Sequence, residues 1–520
     1  MAGEPYYVTT SIPYVNARPH LGFALELVQA DALARYHRLR GDDVRFLTGT
    51  DDNALKNVRA AEAAGVPVQA FVDRNAAAFA ALRGPLQLST DDFIRTGGNP
   101  RHTAAVQQFW RACERAGAIY RRTYTGLYCV GCEAYYADDE LVAGRCPEHG
   151  TRPEVVAEEN CFFRLSRYQD PLARLIESDT VRVVPATRRN EVLRFIRGGL
   201  EDFSISRSQE RARGWGIPVP DDPSQVVYVW FDALLNYLSA LDYGDAGPLY
   251  RRYWRDNPRR VHVIGKDILR FHAVYWPAML LAAGEPLPTT IFVHEFITAG
   301  GARLSKTRGN VVDPRDLVAR CGADALRYWL LREPTRTEDV DFSVARLLER
   351  YHADLANGIG NLLQRTLSML WRYRDGIVPE PGPAGPCDLD CRAAVERLPE
   401  AVGAALAAFD FRAALVAVGD AVASANRYVE ETAPWALARE ATPEAAARLD
   451  TVLSTLAEAL RLVAAHLAPF LPDAAERIAV QLGLPGIPAD ALTPAATRWG
   501  GLPPGTRVAR PVPVFPRLEE

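Results

Sequence analysis

No run of about 18 uncharged apolar residues occurs anywhere in the 520-residue chain, so no segment is expected to span a bilayer as a helix. The opening residues, "MAGEPYYVTTSIPY", have no basic cluster followed by an apolar stretch, which excludes a secretion leader and points to the cytoplasm. An excess of positive charge is also missing. Lys and Arg number 60 against 64 Asp and Glu, a net charge of −4. A general basic coating for nucleic acid is thereby excluded, and any such contact must come from local patches. Cysteines are few for the length: Cys113, Cys129, Cys132, Cys146, Cys161, Cys321, Cys387 and Cys391. Three cluster and the rest scatter, which in a chain without a leader points to metal binding rather than disulfides. No internal repeat at a fixed period is present.

What the chain does have is ample core material, 48% hydrophobic residues, over a length that predicts three or four domains. "YYVTTSIPY" (6–14) reads as a strand, "LGFALELVQADALARYHRLRG" (21–41) as a long amphipathic helix closing on Gly41, and "DVRFLTGTD" (43–51) as a second strand. This β-α-β unit predicts a parallel sheet. His20 follows the carboxyl end of the first strand and Asp51 sits at the end of the second, the edge where open α/β sheets bind ligands. Residues 54–116 read as further helices. Residues 121–165 have the short aromatic strands and turns of an insertion. The αβ rhythm returns at 226–241, 260–284 and 289–310. From about residue 346 strands vanish, and Ala/Leu-rich helices, broken by the linker "PEPGPAGP" (379–386), predict a helical bundle.

Several motifs carry chemistry. Pro19, His20 and Gly22 stand at the mouth of the first helix: either a helix start with an incidental histidine, or a nucleotide site where an imidazole and the helix end face phosphate. Cys129-x-x-Cys132, thirteen residues, then Cys146-x-x-His149 forms two knuckles with four soft ligands, a closed tetrahedral set for one structural Zn²⁺. "ARLSKTRGN" (302–310) gathers Arg303, Lys306 and Arg308 around Ser305 and Thr307, either a solvated basic loop or a mobile clamp for polyphosphate. In "GKDILRFH" (265–272), Ile268 and His272 share a helix face, and Asp267 accepts from a ribose or caps the helix. Trp230, Ala233 and Tyr237 form an aromatic stripe of the kind that usually packs in a core.

In their order along the chain these motifs resemble the class I aminoacyl-tRNA synthetases, closest to the methionyl family, over residues 6–520. "PHLG" resembles that family's HIGH motif and "RLSKT" its KMSKS loop. The resemblance implies an α/β fold: a Rossmann-type parallel-sheet catalytic domain with an inserted zinc-knuckle domain, followed by an all-α anticodon-binding bundle. It divides the chain at 1–116 and 191–288 for the two catalytic halves, 117–190 for the insertion, 289–345 for the loop and stem-contact region, and 346–520 for the bundle. The implied reaction is activation of L-methionine by ATP with Mg²⁺, then transfer to the terminal adenosine of methionine tRNA, initiator and elongator. His20, Gly22, Ser305 and Lys306 are the implied catalytic residues. Pro19, His20, Gly22, Gly265, Asp267 and Lys306 are implied at ATP. The implied methionine site is Ile12, Tyr14, Asp51, Phe203, Arg207, Trp230, Ala233, Tyr237, Ile268 and His272, with Asp51 accepting the ammonium and Arg207 pairing with or orienting it. Asn361, Arg365 and Trp435 are implied anticodon readers. The aromatic stripe then becomes a pocket suited to a thioether.

Departures from the family pattern are local. Phe23 stands where many relatives have a second histidine, and Phe203 where many have tryptophan. From Asp51 the chain reads "DDNALKN", where many relatives have an acidic residue followed by His-Gly. No tRNA-binding or dimerising module follows "VFPRLEE", which implies a monomer. Two rivals are a synthetase for another apolar amino acid and a non-catalytic RNA-binding zinc protein.

Overall fold

The computed structural model describes residues 3–130, 134–148, 150–304 and 311–518. Four candidate residues, Cys132, His149, Ser305 and Lys306, lie outside them. The chain opens with β1 (Pro5–Thr10), α1 (Leu21–Leu39) and β2 (Asp43–Thr50). Then follow α2 (Leu55–Ala63), α3 (Val68–Ala80), β3 (Asp92–Arg95) and α4 (Pro100–Arg115). Strand β3 corrects the expectation of helices alone over 54–116. It is a four-residue edge strand, too short to show a period in the sequence.

The chain next leaves the main sheet. Strands β4 (Ile119–Cys129), β5 (Ala134–Tyr136) and β6 (Glu154–Phe163) pair antiparallel, β4 lying between the other two. Strand β7 (Arg182–Val184) returns to the main sheet, and β8 (Phe203–Ser204) adds to β6. Strands β9 (Ser206–Ser208), β10 (Pro218–Val219) and β11 (Asp222–Val227) make a small antiparallel sheet. Two further strands, β12 (Arg260–Gly265) and β13 (Thr290–His294), complete the main sheet. A last small sheet joins β14 (Ile297–Ala299), β15 (Ala302–Arg303) and β16 (Val340–Asp341).

The main sheet has the order β3-β2-β1-β12-β13-β7, and every pairing is parallel. Its central strands are buried along most of their length because helices cover both faces, and Tyr6, Tyr7, Val8, Phe46, Val263 and Phe292 are all buried. The strand order reverses between β1 and β12. Such a switch opens a crevice at the carboxyl ends of the two central strands, here Thr10 and Gly265.

Helix α1 is not amphipathic in the structure. Glu26, Gln29 and Asp31, the polar residues expected to face water, are buried. The reason is its position: one side packs on β1 and β2, the other on the helix Ala323–Arg332. Gly41, at φ +89°, turns the chain out of the helix into β2.

Among the described residues after Val340–Asp341 the elements are helical, among them Asn361–Arg374, Phe411–Thr432 and Pro443–Leu467. One apolar core runs from α1 through Trp329 and Leu355 into Leu456 and Phe470 of the bundle, so the two parts share buried surface. The Pro/Gly linker is tied down where the Gly382 amide donates to Thr451 Oγ1. No described helix is long and apolar enough to cross a membrane.

Candidate functional site

The crevice is built where β1, α1, β12 and β13 meet. His20 is the N-cap of α1, and its Nδ1 accepts from the Gly22 amide at 3.1 Å. A nitrogen that accepts an N–H carries a lone pair, so the proton of this imidazole sits on Nε2. Gly22 makes close room for the ring: a Cβ there would lie 3.0 Å from His20 Cε1 and 3.1 Å from its Nδ1. The Leu21 amide donates to the carbonyl of Val312, just after the basic loop. The two leading amides of α1 are thus already used and do not form a bare helix end. Phe23 turns away from His20 and meets Phe79 of α3 edge to face at 5.2 Å.

Two residues that sequence reasoning missed close the crevice. Glu26 Oε1 accepts from the amide of Ser11 at 2.7 Å and from its hydroxyl at 2.6 Å, while Oε2 meets His294 Nε2 at 3.0 Å. His294 Nδ1 faces the Glu295 carbonyl at 2.9 Å. Both partners of this ring accept, so both nitrogens donate and the ring is an imidazolium. Burial pulls its pKa down, but the bond to Glu26 and that carboxylate's charge outweigh it and hold the pKa above the usual histidine value. Gly265 sits against this pair: a Cβ there would lie 3.0 Å from Asp267 Oδ1 and 3.6 Å from His294 Cε1. A glutamate on a helix read as amphipathic looks like a surface residue, and His294 stands alone at the end of an apolar strand run, with no motif around it.

Beside the crevice lies an aromatic-walled recess. Trp230 stacks on Phe271 at 3.7 Å and meets Tyr14 edge to face at 6.3 Å. Phe203 stacks on Tyr275 at 4.4 Å. Ile12, Phe203, Trp230 and Ile268 are partly buried against the same core that buries Tyr237, and Ala233 is buried as well. At the floor, His272 Nδ1 donates to the Ile268 carbonyl at 3.0 Å, leaving Nε2 to accept from the Tyr237 hydroxyl at 2.7 Å. His272 is therefore neutral. Burial lowers its pKa to about 4, which agrees with that bonding. Tyr237 also stacks on His262 at 4.1 Å. His262 accepts from Trp276 Nε1 and donates from Nδ1 to Thr9, so it too is neutral.

Asp51 closes the other side. It is buried at the end of β2, bridges Tyr14 in parallel fashion, and its Oδ1 accepts from the Asn53 amide at 3.0 Å. Arg207 is buried over the rings of Tyr228, at 4.4 Å, and Tyr128, at 5.1 Å, and donates to Ser204 Oγ and the Ser206 carbonyl. Tyr228 packs with Ala54, Tyr14, Phe203 and Trp230, which brings Arg207 to the rim of the recess.

In the insertion, Cys129 and Cys146 are both buried. They converge on one residue: Cys129 Sγ lies 3.9 Å from Thr151 Oγ1, and the Cys146 amide donates to the Thr151 carbonyl. The Gly150 amide donates back to the Cys146 carbonyl, a tight turn of the knuckle type. Two buried thiols, one ending β4 and one opening the Cys146–Gly150 turn, have the chemistry of half of a four-ligand zinc set, whose other two members lie outside the described residues. Among the described residues no three metal-ligating side chains converge.

Far along the chain, Asn361, Arg365 and Trp435 come together. Arg365 lies 5.8 Å over the Trp435 ring and pairs with Glu430 at 2.7 Å, while Asn361 Nδ2 reaches Asn426 Oδ1 at 3.5 Å. Asn361 and Arg365, with Asn426, line a groove of about 580 Å³. Trp435 is 37% exposed, more than a tryptophan buried for packing would be.

Comparisons with known proteins agree with one another. A family model described as "tRNA synthetases class I (M)" matches residues 6–152 and 148–367, and one described as "Anticodon binding domain of methionyl tRNA ligase" matches residues 378–520. A methionine–tRNA ligase of Brucella suis is 44% identical over 100% of this chain and 99% of its own. The Mycobacterium tuberculosis methionyl-tRNA synthetase in complex with methionyl-adenylate is 42% identical, with a TM-score of 0.94 over 99% of this chain and 100% of that one. The free form of that enzyme superposes with a TM-score of 0.88 at 40% identity, over 100% of this chain and 99% of that one.

Proposed function

The chain belongs to the class I tRNA synthetase family, in its methionyl branch, and from that premise we propose that it activates L-methionine with ATP and transfers it to methionine tRNA. The observation that carries the reading is the buried aromatic recess floored by Tyr237 and His272 and flanked by Asp51, beside a crevice at the sheet's switch point. Asp51 takes the substrate ammonium, and Arg207 steadies that side of the recess. The thioether lies among Ile12, Tyr14, Phe203, Trp230, Ala233, Tyr237, Ile268 and His272, where polarizable sulfur packs well against rings. The Tyr237 hydroxyl is committed to a neutral His272, so the recess floor carries no charge.

ATP occupies the crevice at Pro19, His20, Gly22, Gly265 and Asp267. The methionine carboxylate attacks the α-phosphate in line with departing pyrophosphate. No protein nucleophile takes part: catalysis is positioning and neutralisation of growing charge. His20 donates from Nε2, and Lys306 with Ser305 of the basic loop meets the leaving group. Mg²⁺ bound with ATP supplies charge neutralisation at the phosphates. The terminal ribose hydroxyl of the tRNA then attacks the adenylate carbonyl.

The proposal retains the domain division at 116 and 345, moves β7 (Arg182–Val184) out of the 117–190 insertion and β13 (Thr290–His294) out of the 289–345 region because both strands pair in the main sheet, and includes one structural Zn²⁺ on Cys129, Cys132, Cys146 and His149. It includes action as a monomer in the cytoplasm, with the mass in solution as the check. Anticodon bases stack on Trp435 and bond to Asn361 and Arg365, as single-stranded loop bases are commonly read. The primary test is ATP–pyrophosphate exchange across a panel of amino acids. Methionine-dependent exchange is expected, and exchange with another amino acid alone would overturn the reading. Trp435→Ala should leave exchange intact and lower charging of tRNA roughly tenfold or more, since one base–aromatic stack is worth about 1–3 kcal/mol. Equal charging of a tRNA with an altered anticodon by the unmodified enzyme would refute the role of the bundle.

A further inference from the structure

The carboxylate of Asp232 has no part in the reading so far, yet it is wholly buried one residue before Ala233 of the recess. Its two oxygens have separate partners. Oδ2 accepts from Asn53 Nδ2 at 2.7 Å, and Oδ1 meets Nε2 of the buried His102, on α4, at 2.6 Å. The other nitrogen of His102 reaches Ser239 Oγ at 2.7 Å. Asn53 in turn uses its backbone amide to bond Asp51 Oδ1 at 3.0 Å. One residue, Asn53, therefore holds Asp51 with its main chain and Asp232 with its side chain.

We propose that Asp232 is a positioning residue: through Asn53 it fixes the turn carrying Asp51 against the short helix that carries Trp230 and Ala233. This rests on the reading of Asp51 as the acceptor of the methionine ammonium. The physical case is one of cost and direction. A buried carboxylate is expensive, and a pair of apolar side chains would glue these elements as well or better. What apolar packing cannot do is fix the distance between a turn and a helix to the length of a hydrogen bond in a set direction. The two walls that Asp232 joins are the two that must meet one substrate, Asp51 at its ammonium and Trp230 with Ala233 along its side chain. His102, braced by Ser239, keeps the carboxylate from rotating away from Asn53. A small displacement of an aligned group lowers the use of that group without unfolding anything.

Asn53→Asp tests it, because this change sets a second carboxylate against Asp232 where like charges at contact repel. In the exchange assay the KM for methionine should rise roughly tenfold, with the KM for ATP changed less than about twofold and the melting temperature near that of the parent. The double variant Asn53→Asp with Asp232→Asn exchanges donor and acceptor, and should bring the methionine KM back to within about threefold of the parent. A parallel rise of both KM values, or no recovery in a folded double variant, overturns the proposal. If Asn53→Asp does not fold, Asn53→Ala removes the donor without adding charge, and the same methionine-specific rise is required. Asp51→Ala run alongside separates the two failures. If it leaves the methionine KM unchanged, the role of Asp51 is wrong and the brace falls with it. If it raises that KM while Asn53→Asp does not, the brace alone is wrong.

Discussion

Three buried histidines in one neighbourhood hold different charge states, each set by what its two nitrogens meet. His262 and His272 each face one donor and one acceptor and are neutral, while His294 faces two acceptors and is charged. The neutral pair floors the apolar recess and the cation stands by the crevice, which is where the proposed ATP phosphates would need charge. None of these states was legible from residue type, since the deciding partners lie up to 268 positions away in the chain. By contrast Gly22 was legible as a motif glycine, and contact geometry now explains it. Gly22→Ala puts a methyl group against the His20 ring. The ring must give by a few tenths of an ångström, and if His20 is catalytic the exchange kcat is expected to fall by roughly 10²-fold, as for displaced catalytic groups generally. The change in melting temperature should be small, because α1 is a good site for alanine. Near-normal single-turnover adenylate formation by Gly22→Ala would show that His20 keeps its place without the glycine.

Long elements with a clear period, β1, β2 and β12 among them, were readable, and so was the insertion, whose turn-rich composition breaks the αβ rhythm. Strand β3 escaped because four edge residues carry no period. Helix α1 was read with the wrong faces because its buried polar residues, Glu26 and Asp31, are satisfied by partners that no local pattern reveals. The insertion is also where removal of a ligand is most informative. Strands β4 and β6 pair over ten positions, so the sheet has its own hydrogen-bond ladder. Cys129 and Cys146 lie at one end of it, at the end of β4 and in the loop before β6. Cys146→Ser should abolish stoichiometric zinc, measured by metal analysis of purified protein, while the main sheet and methionine-dependent exchange survive in large part. Structural zinc sites contribute folding energy locally, so protease sensitivity should rise within 130–152 first. Unchanged zinc content in Cys146→Ser would remove this cysteine from the site.

At the scale of the whole molecule, the question is how the αβ core and the helical bundle keep a fixed relation. Their shared apolar core supplies area but not register. Register comes from Arg327, a wholly buried guanidinium on the helix between the two parts. It pairs with Asp31 of α1 at 2.8 Å and donates to the carbonyls of Leu86, Pro469 and Phe470, at 3.0, 3.3 and 2.7 Å. One side chain thus joins the helix that begins at His20, the loop after α3 and the end of the longest bundle helix. Asp31 is further held by Arg35 and Ser89, and although burial opposes it, those partners with Arg327 keep its pKa below the usual carboxylate value. Arg327→Ala would leave that carboxylate underpaired and three carbonyls without a donor. Breaking a buried pair from one side costs about 3–5 kcal/mol. Arg327→Lys should recover only part, because an ammonium has no planar fork to span carboxylate and carbonyls together. Guanidinium unfolding of the three proteins checks the order, parent above Lys above Ala. Charging of tRNA should fall further than exchange in the Arg327→Ala variant, because charging alone needs both parts held in register. If exchange and charging fall in equal proportion, or stability is unchanged, Arg327 does not set the relation between the two parts.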